Sequence, residues 1–200
     1  AAGDTACTGV HGAAPLAGNR LLDALTSGAA AGKHAGEWVA DRKFSAAAGL
    51  EAAVKDAQAD VSAMMESEEA THVVRCGTVM SSLHSALAST STFSAESMAT
   101  LQAKIEQISI TAESLHLDQH SLIANTNLLE VLRTQAAVRM VLASVQSGLA
   151  RQESRGSFTR EDFPEANDDF LHHITIDREG TTGTLAIKKG AGGHWVLPPQ

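Results

Sequence analysis

The residues best placed to do chemistry run from Asp4 to Asp23, as Asp-Thr-Ala-Cys-Thr-Gly-Val-His-Gly-Ala-Ala-Pro-Leu-Ala-Gly-Asn-Arg-Leu-Leu-Asp. Gly9, Gly12 and Gly18 permit tight turns and close approach of a ligand to the backbone. Asn19 reads as a helix N-cap, and Leu21, Leu22 and Leu25 then begin an apolar helical stripe. The N–H groups of Arg20, Leu21 and Leu22 would stand free at the helix start, where the dipole favours negative charge. With Ala1 and Ala2 as the end of a buried strand, the pattern suits a site for an anionic or electron-rich group. It suits an ordinary strand-to-helix loop equally well.

A second concentration of charge lies far downstream, in Glu153, Arg155, Arg160, Asp162, Asp168 and Asp169. A salt-bridged structural loop and an interface with a partner both account for it. His116 and His120 stand four apart and lack a third ligand at a telling distance, so they read as surface histidines rather than a metal site. His172 and His173 fall on opposite faces of a strand and do not form a chelating pair. Cys76, in mid-helix, reads as a small core residue.

The elements that must position these groups are mostly helical. A first helix is expected over Asn19–Ala40, ended by the polar break Asp41-Arg42-Lys43. Leu50–Glu69, His72–Leu87, Ala95–Leu115 and His120–Arg151 each carry apolar residues near a 3.6 period. Ser94 with Ser97 offers an N-cap to the third of these. The last has apolar residues on more than one face, as a central helix surrounded by others would. About four such helices make a bundle. Leu171–Asp177 alternates like a strand, Glu179–Gly183 is a turn, and Thr184–Lys188 is a second strand, giving a small antiparallel hairpin with Trp195–Leu197 as a third-strand candidate. Gly190-Ala-Gly-Gly193 has no helix pattern after it and reads as a turn.

Composition narrows the classes. The 200 residues are 44% hydrophobic but only 4% aromatic, with no Tyr, so the core rests on Ala, Leu, Val, Ile and Met. A net charge of −8 excludes the basic face that nucleic acid requires. No apolar run approaches the ~20 residues of a bilayer span, and the start lacks a basic region followed by an apolar one, so no signal peptide is expected. Cys7 and Cys76 make no disulfide framework, which points to a reducing, cytoplasmic setting.

Two ordered stretches carry a resemblance. Gly3-Asp4-Thr5-Ala6-Cys7, Val10-His11-Gly12-Ala13, Leu16, Asn19 and Leu21-Leu22-Asp23 resemble a pattern that closes the FAD domain of the succinate dehydrogenase/fumarate reductase flavoprotein family, which includes L-aspartate oxidase. That pattern is roughly Gly-Glu-x-Ala-Cys-x-x-Val-His-Gly-Ala-Asn-Arg-Leu-x-x-Asn-Ser-Leu-Leu-Asp/Glu. Glu153-Ser154-Arg155-Gly156, Arg160-Glu161-Asp162-Phe163-Pro164 and Asp168-Asp169 resemble the same family's downstream signature, and the resemblance covers nearly the whole chain.

The resemblance implies a mainly α chain: the end of an FAD-domain strand and its helix (residues 1–42), a helical C-terminal domain (43–156), and a charged loop with a small β tail (157–200). It implies FAD as cofactor, with Gly3, Asp4, His11, Gly12, Asn19, Arg20 and Leu21 at the flavin. Asp4 stands where the family's Glu hydrogen-bonds the ribityl chain, and Arg20-Leu21 where a Ser-Leu backbone meets the isoalloxazine ring. Pro15 and Ala14 replace an Arg that clamps a substrate carboxylate and a neighbouring Asn, and Pro donates no hydrogen bond. No nucleotide-binding Gly-x-Gly-x-x-Gly is present. The rest of the FAD domain and the capping domain, with the proton-donating group, are therefore expected to lie on a companion chain or to have been cut away, so no catalytic acid or base is assigned here. The charge cluster is expected to dock the bundle onto the FAD domain or to meet an iron-sulfur electron-transfer subunit, with any membrane association through partners. The implied reaction is hydride transfer between flavin and a C–C or C–N bond. A non-catalytic helical scaffold and an L-aspartate-oxidase-like flavoprotein are the alternatives. Pro198-Pro199, similar to the tail of complex-type members, favours the succinate/fumarate branch.

Overall fold

A computed structural model of the chain describes residues 3–6, 9–12, 14–42, 48–66 and 73–187. Among them are five α-helices: α1 Asn19–Ala40, α2 Ala48–Glu66, α3 Cys76–Ala88, α4 Ala95–Glu113 and α5 Thr126–Ala150. Two strands follow, β1 His172–Ile176 and β2 Thr182–Ala186. The chain divides into two compact units, one of Ala1–Asp56 with Gly156–Phe158, the other of Ala57–Arg155 with Thr159–Gln200.

The larger unit is mainly α, as expected. Val79, Leu83 and Ala86 of α3, Leu101, Ile105 and Ala112 of α4, and Val138 and Val145 of α5 form one buried cluster. Cys76, Leu117, Leu128 and Val131 form a second, against which Val61, Met64 and Met65 of α2 pack. Burying such aliphatic side chains stabilises by about 1.5–3 kcal/mol each. α4 starts where Ser94 and Ser97 cap each other reciprocally: the Ser97 N–H donates to Ser94 Oγ at 3.2 Å and the Ser94 N–H to Ser97 Oγ at 2.9 Å.

The helix limits differ from the periodic pattern wherever backbone bonding intervenes. α3 begins at Cys76 because Val74 forms an isolated parallel bridge with Leu115, the His116 N–H donating to the Val74 carbonyl at 2.9 Å. The same bridge stops α4 short of Leu115. α5 starts at Thr126 rather than His120. Asn125 accepts the Leu128 N–H at 2.8 Å and donates to the Gln119 carbonyl at 2.7 Å, and Ala124 takes a positive φ of 52°. α5 packs on α3, α4 and both strands, but Leu129, Leu132 and Met140 stay exposed, so it is not covered on every side.

β1 and β2 pair antiparallel with Thr175 opposite Gly183, and β2 begins at Thr182, two residues before the expected Thr184. A Cβ at Gly183 would meet Thr175 Oγ1 at 2.9 Å, so a larger residue on this rung would force the Thr175 side chain to turn. The proposed strand end at Ala1 and Ala2, Cys7, Lys43, Ser67–Glu69, the turn at Gly190–Gly193, Trp195–Leu197 and Pro198-Pro199 lie outside the described residues.

Asn125→Ala removes the α5 cap and a buried bond to the preceding loop. A loss of about 1–2 kcal/mol is expected in urea denaturation, with the slope unchanged.

Candidate functional site

The glycine loop belongs to the smaller unit. Gly3–Ala6, with Asp4 inside it, forms a 3₁₀ turn that packs against α1. Gly12 closes a turn by donating its N–H to the Gly9 carbonyl at 3.1 Å, with positive φ at both residues. Asn19 is not the cap: Gly18 is, at φ 82°, and Asn19 is the first helical residue. The left-handed turn at Gly18 reverses the chain directly into α1, and the Asn19 N–H is already spent on the Leu16 carbonyl at 3.1 Å. The Leu22 N–H bonds back to Gly18 at 3.4 Å. The N–H groups of Arg20 and Leu21 alone of the expected three have no partner among the described residues.

Two side-chain bonds hold the loop to the helix. His11 Nε2 lies 3.1 Å from Asp23 Oδ2, and the Ser27 hydroxyl donates to Asp23 Oδ1. The Ser27 hydroxyl, then His11, hold the Asp23 carboxyl below its ordinary pKa. The periodic stripe identified Leu21 and Leu22 but gave no sign of this clamp. Twelve residues separate His11 and Asp23, and only the turn at Gly12 and Gly18 brings them together. The face beside the clamp is apolar and open: Leu21 is 70% exposed, Leu22 60% and Leu25 64%, and α1 has no buried residue.

Within the larger unit the downstream charges other than Asp169 form two ion-paired groups, joined where Arg160 donates to the Arg151 carbonyl. Glu153 is fully buried. It accepts from Arg151 at 2.5 Å, from Arg155 Nε at 3.1 and 3.0 Å, and from the Asn167 N–H at 2.9 Å. Burial pushes its carboxyl pKa up, but Arg155, the Asn167 amide and Arg151 outweigh that and hold it below the ordinary value. Arg160 is 1% exposed. It makes a bidentate pair with Asp162 (2.8 and 2.6 Å) and donates to the carbonyls of Gly148 (2.9 Å) and Arg151 (3.0 Å). Asp162 also accepts the Ala95 N–H at 2.9 Å, and Arg160 and this amide hold its carboxyl well below the usual range. Asp168 lies 4.0 Å from Arg155 and is almost wholly exposed, while Asp169 joins none of these pairs.

The remaining candidates are separate. His120 Nδ1 lies 2.6 Å from the Met65 carbonyl, and His116 lies 3.7 Å from Asp118, so the two do not converge. Among the described residues no three His, Cys, Asp or Glu groups could hold a metal ion. A crevice of about 400 Å³, lined by Gln102, Gln146, Leu149, Ala150, Gly180 and Thr182, holds no titratable group. No helix among the described residues is long and apolar enough to cross a membrane.

The described residues of the larger unit are thus a helical bundle with a buried ion-paired loop at its end. A family model for the fumarate reductase flavoprotein C-terminus matches residues 90–191. The chain belongs to that family. It is 34% identical over 194 residues to the fumarate reductase flavoprotein subunit of Mycobacterium tuberculosis, covering 94% of this chain and 33% of that protein. It is 28% identical over 189 residues to the succinate dehydrogenase flavoprotein subunit of Rickettsia felis, covering 90% and 30%. A quinol-fumarate reductase solved with menaquinol superposes with a TM-score of 0.81 at 23% identity, covering all of this chain and 35% of that one. An E. coli quinol fumarate reductase superposes at 0.78 with 22% identity, covering 96% and 33%. The chain thus spans about one third of the length of the relatives it matches.

Arg160→Ala should destabilise by about 3–5 kcal/mol, because two helix-end carbonyls and Asp162 lose a buried donor. The folded-state pKa values of Glu153 and Asp162 are depressed below their ordinary 4.5 and 3.8. Their stabilisation is therefore complete above about pH 5 and is lost as pH falls through the depressed values. Thermal unfolding followed against pH should show Tm falling below pH 5, with a shallower fall in Asp162→Asn.

Proposed function

We propose that this chain is the C-terminal portion of an FAD-dependent oxidoreductase of the succinate dehydrogenase/fumarate reductase type and that it completes the flavin site. The observation that carries the reading is the start of α1. There, two N–H groups without a partner among the described residues, on Arg20 and Leu21, stand beside an open apolar face and a loop clamped to the helix. These groups fit the flavin chemically. Free amides at a helix N-terminus suit the electron-rich edge of an isoalloxazine ring, and exposed leucines suit its flat faces. Gly12 and Gly18 leave open space where a Cβ would stand.

In this reading Gly3, Asp4, His11, Gly12, Asn19, Arg20 and Leu21 line the cofactor. Asp4 accepts from ribityl hydroxyls, and the helix start favours negative charge on the reduced ring. Bound FAD would supply hydride exchange with a carbon centre of the substrate. The exposed Arg20 adds a positive charge that favours reduced flavin, so Arg20→Ser should lower the flavin reduction potential of the assembled protein. Residues 1–42 then close the FAD domain, 43–156 form the helical domain and 157–200 a charged loop and β tail. The other two thirds of the relatives' length would carry the dinucleotide-binding motif and the substrate cap, on a companion chain if the protein is split or on the same polypeptide if this chain is a fragment of it. An iron-sulfur electron-transfer subunit is a further partner, and the assembly is cytoplasmic.

Pro15 favours a second reading. It stands where the family's carboxylate-clamping Arg is expected, so a scaffold that kept the fold and lost dicarboxylate chemistry also accounts for the chain.

The deciding measurement is a visible absorption spectrum of native, co-purified material, with the chains resolved on a denaturing gel. Flavin bands with a larger companion chain are expected. A single longer polypeptide containing this sequence would refute the companion, and an intact complex without flavin would move the reading to the scaffold. Tight stoichiometric FAD binding by this chain alone would also sink the claim that another segment completes the site.

A further inference from the structure

The His11–Asp23–Ser27 chain of bonds does more than close a loop. Asp23 is anchored at both oxygens, one by the Ser27 hydroxyl and the other by His11. Ser27 lies one turn along α1, so the carboxylate is held in one orientation by its own helix. An ionised carboxylate only accepts hydrogen bonds. The imidazole nitrogen facing it, Nε2, must therefore carry a proton. In the neutral ring that leaves Nδ1 as an unprotonated acceptor. His11 is a quarter exposed, and its Nδ1 has no partner among the described residues. The loop thus presents one ring nitrogen to the helix and the other away from it.

We propose that Asp23 is a positioning residue that fixes His11 in the Nε2–H form, leaving Nδ1 to accept a hydrogen bond from an N–H or O–H group of the bound cofactor. The tautomer follows from geometry in this chain; its use by a cofactor rests on the flavin reading above. The N–H groups of Arg20 and Leu21, unpartnered among the described residues, would then provide donors and His11 an acceptor from the same loop-and-helix start. A cofactor edge bearing both kinds of group, as the imide edge of an isoalloxazine ring does, matches such a pair better than a simple anion. An anion has no use for an acceptor.

Nitrogen-15 NMR of histidine-labelled chain tests the tautomer directly, at a pH well above the ordinary imidazole pKa of ~6.5. His11→Gln assigns its signals among the nine histidines. In the native chain His11 should show a protonated Nε2 and a bare Nδ1. In Asp23→Ala, with helix content unchanged, the ring should relax to a mixture of tautomers. A native Nδ1–H form would overturn the proposal, as would an Nε2–H form that survives Asp23→Ala. If that variant fails to fold, Asp23→Asn takes its place, and a native Nδ1–H form overturns the proposal in either case. In the assembled flavoprotein, His11→Phe should weaken FAD retention about tenfold, the worth of one hydrogen bond of roughly 1.4 kcal/mol. Unchanged retention would overturn the cofactor contact and leave the tautomer standing. A native complex without flavin would overturn the proposed function instead.

Discussion

The larger unit depends on one ion pair that closes two helix ends at once. Arg160 caps the last turn of α5 by donating to Gly148 and Arg151, the end at which the helix dipole is negative. Asp162, bound to the same guanidinium, accepts the first amide of α4, the end at which the dipole is positive. Each charge thus meets its opposite charge and a favourable dipole, and the planar fork of arginine makes both bonds to the carboxylate. A lysine could not do this, since its compact ammonium lacks the rigid fork. The Glu161 N–H donates to the Phe93 carbonyl at 2.9 Å, adding a backbone tie at the same junction.

Burying such groups is costly unless every polar atom is matched. Here they are matched: no buried side-chain nitrogen or oxygen among the described residues lacks a partner. Glu153 shows how. It takes up Arg151 and Arg155 on either side of itself in sequence and the Asn167 amide from across the loop. Arg151 reaches on to the carbonyls of Phe170 and His172 at 3.0 and 2.7 Å, which ties the end of α5 to the start of β1. Ser154 accepts the Arg160 N–H and donates to the Phe163 carbonyl, so the segment folds back upon itself. A polar loop of this kind is held by specific bonds rather than by apolar burial. Its geometry is correspondingly unforgiving of substitution.

That difference explains what the sequence disclosed. Helices with a buried stripe were legible, because Leu101, Ile105 and Ala112, or Val138 and Val145, repeat at the helical period and are buried on that side. Their ends were less so. The Val74–Leu115 bridge and the cap at Asn125 are contacts between segments whose residues announce nothing locally. The charge cluster was visible as a cluster, but which charge would be fully buried was not. Glu153 and Arg160 look no different in the sequence from Asp168, which is exposed. In the glycine loop the turn residues were legible, since Gly12 and Gly18 both take positive φ. The cap was placed one residue late, because Asn19 is a favourable cap type but Gly18 alone accepts the left-handed turn.

The smaller unit inverts the balance of the larger one. α1 runs for 22 residues without one buried side chain, while Leu21, Leu22, Leu25, Trp38 and Val39 are exposed. Trp38 is more than half exposed, and the Arg42 guanidinium lies 3.9 Å above its ring. An isolated helix of this length is marginal in water, because most helical stability comes from packing an apolar face. The stripe therefore demands a covering surface. The loop, by contrast, is already organised without one, through the turn at Gly12 and the bonds among His11, Asp23 and Ser27. The two parts of the unit thus rest on different physics: directional bonds hold the loop's shape whatever surrounds it, whereas the stability of α1 depends on what its apolar stripe packs against.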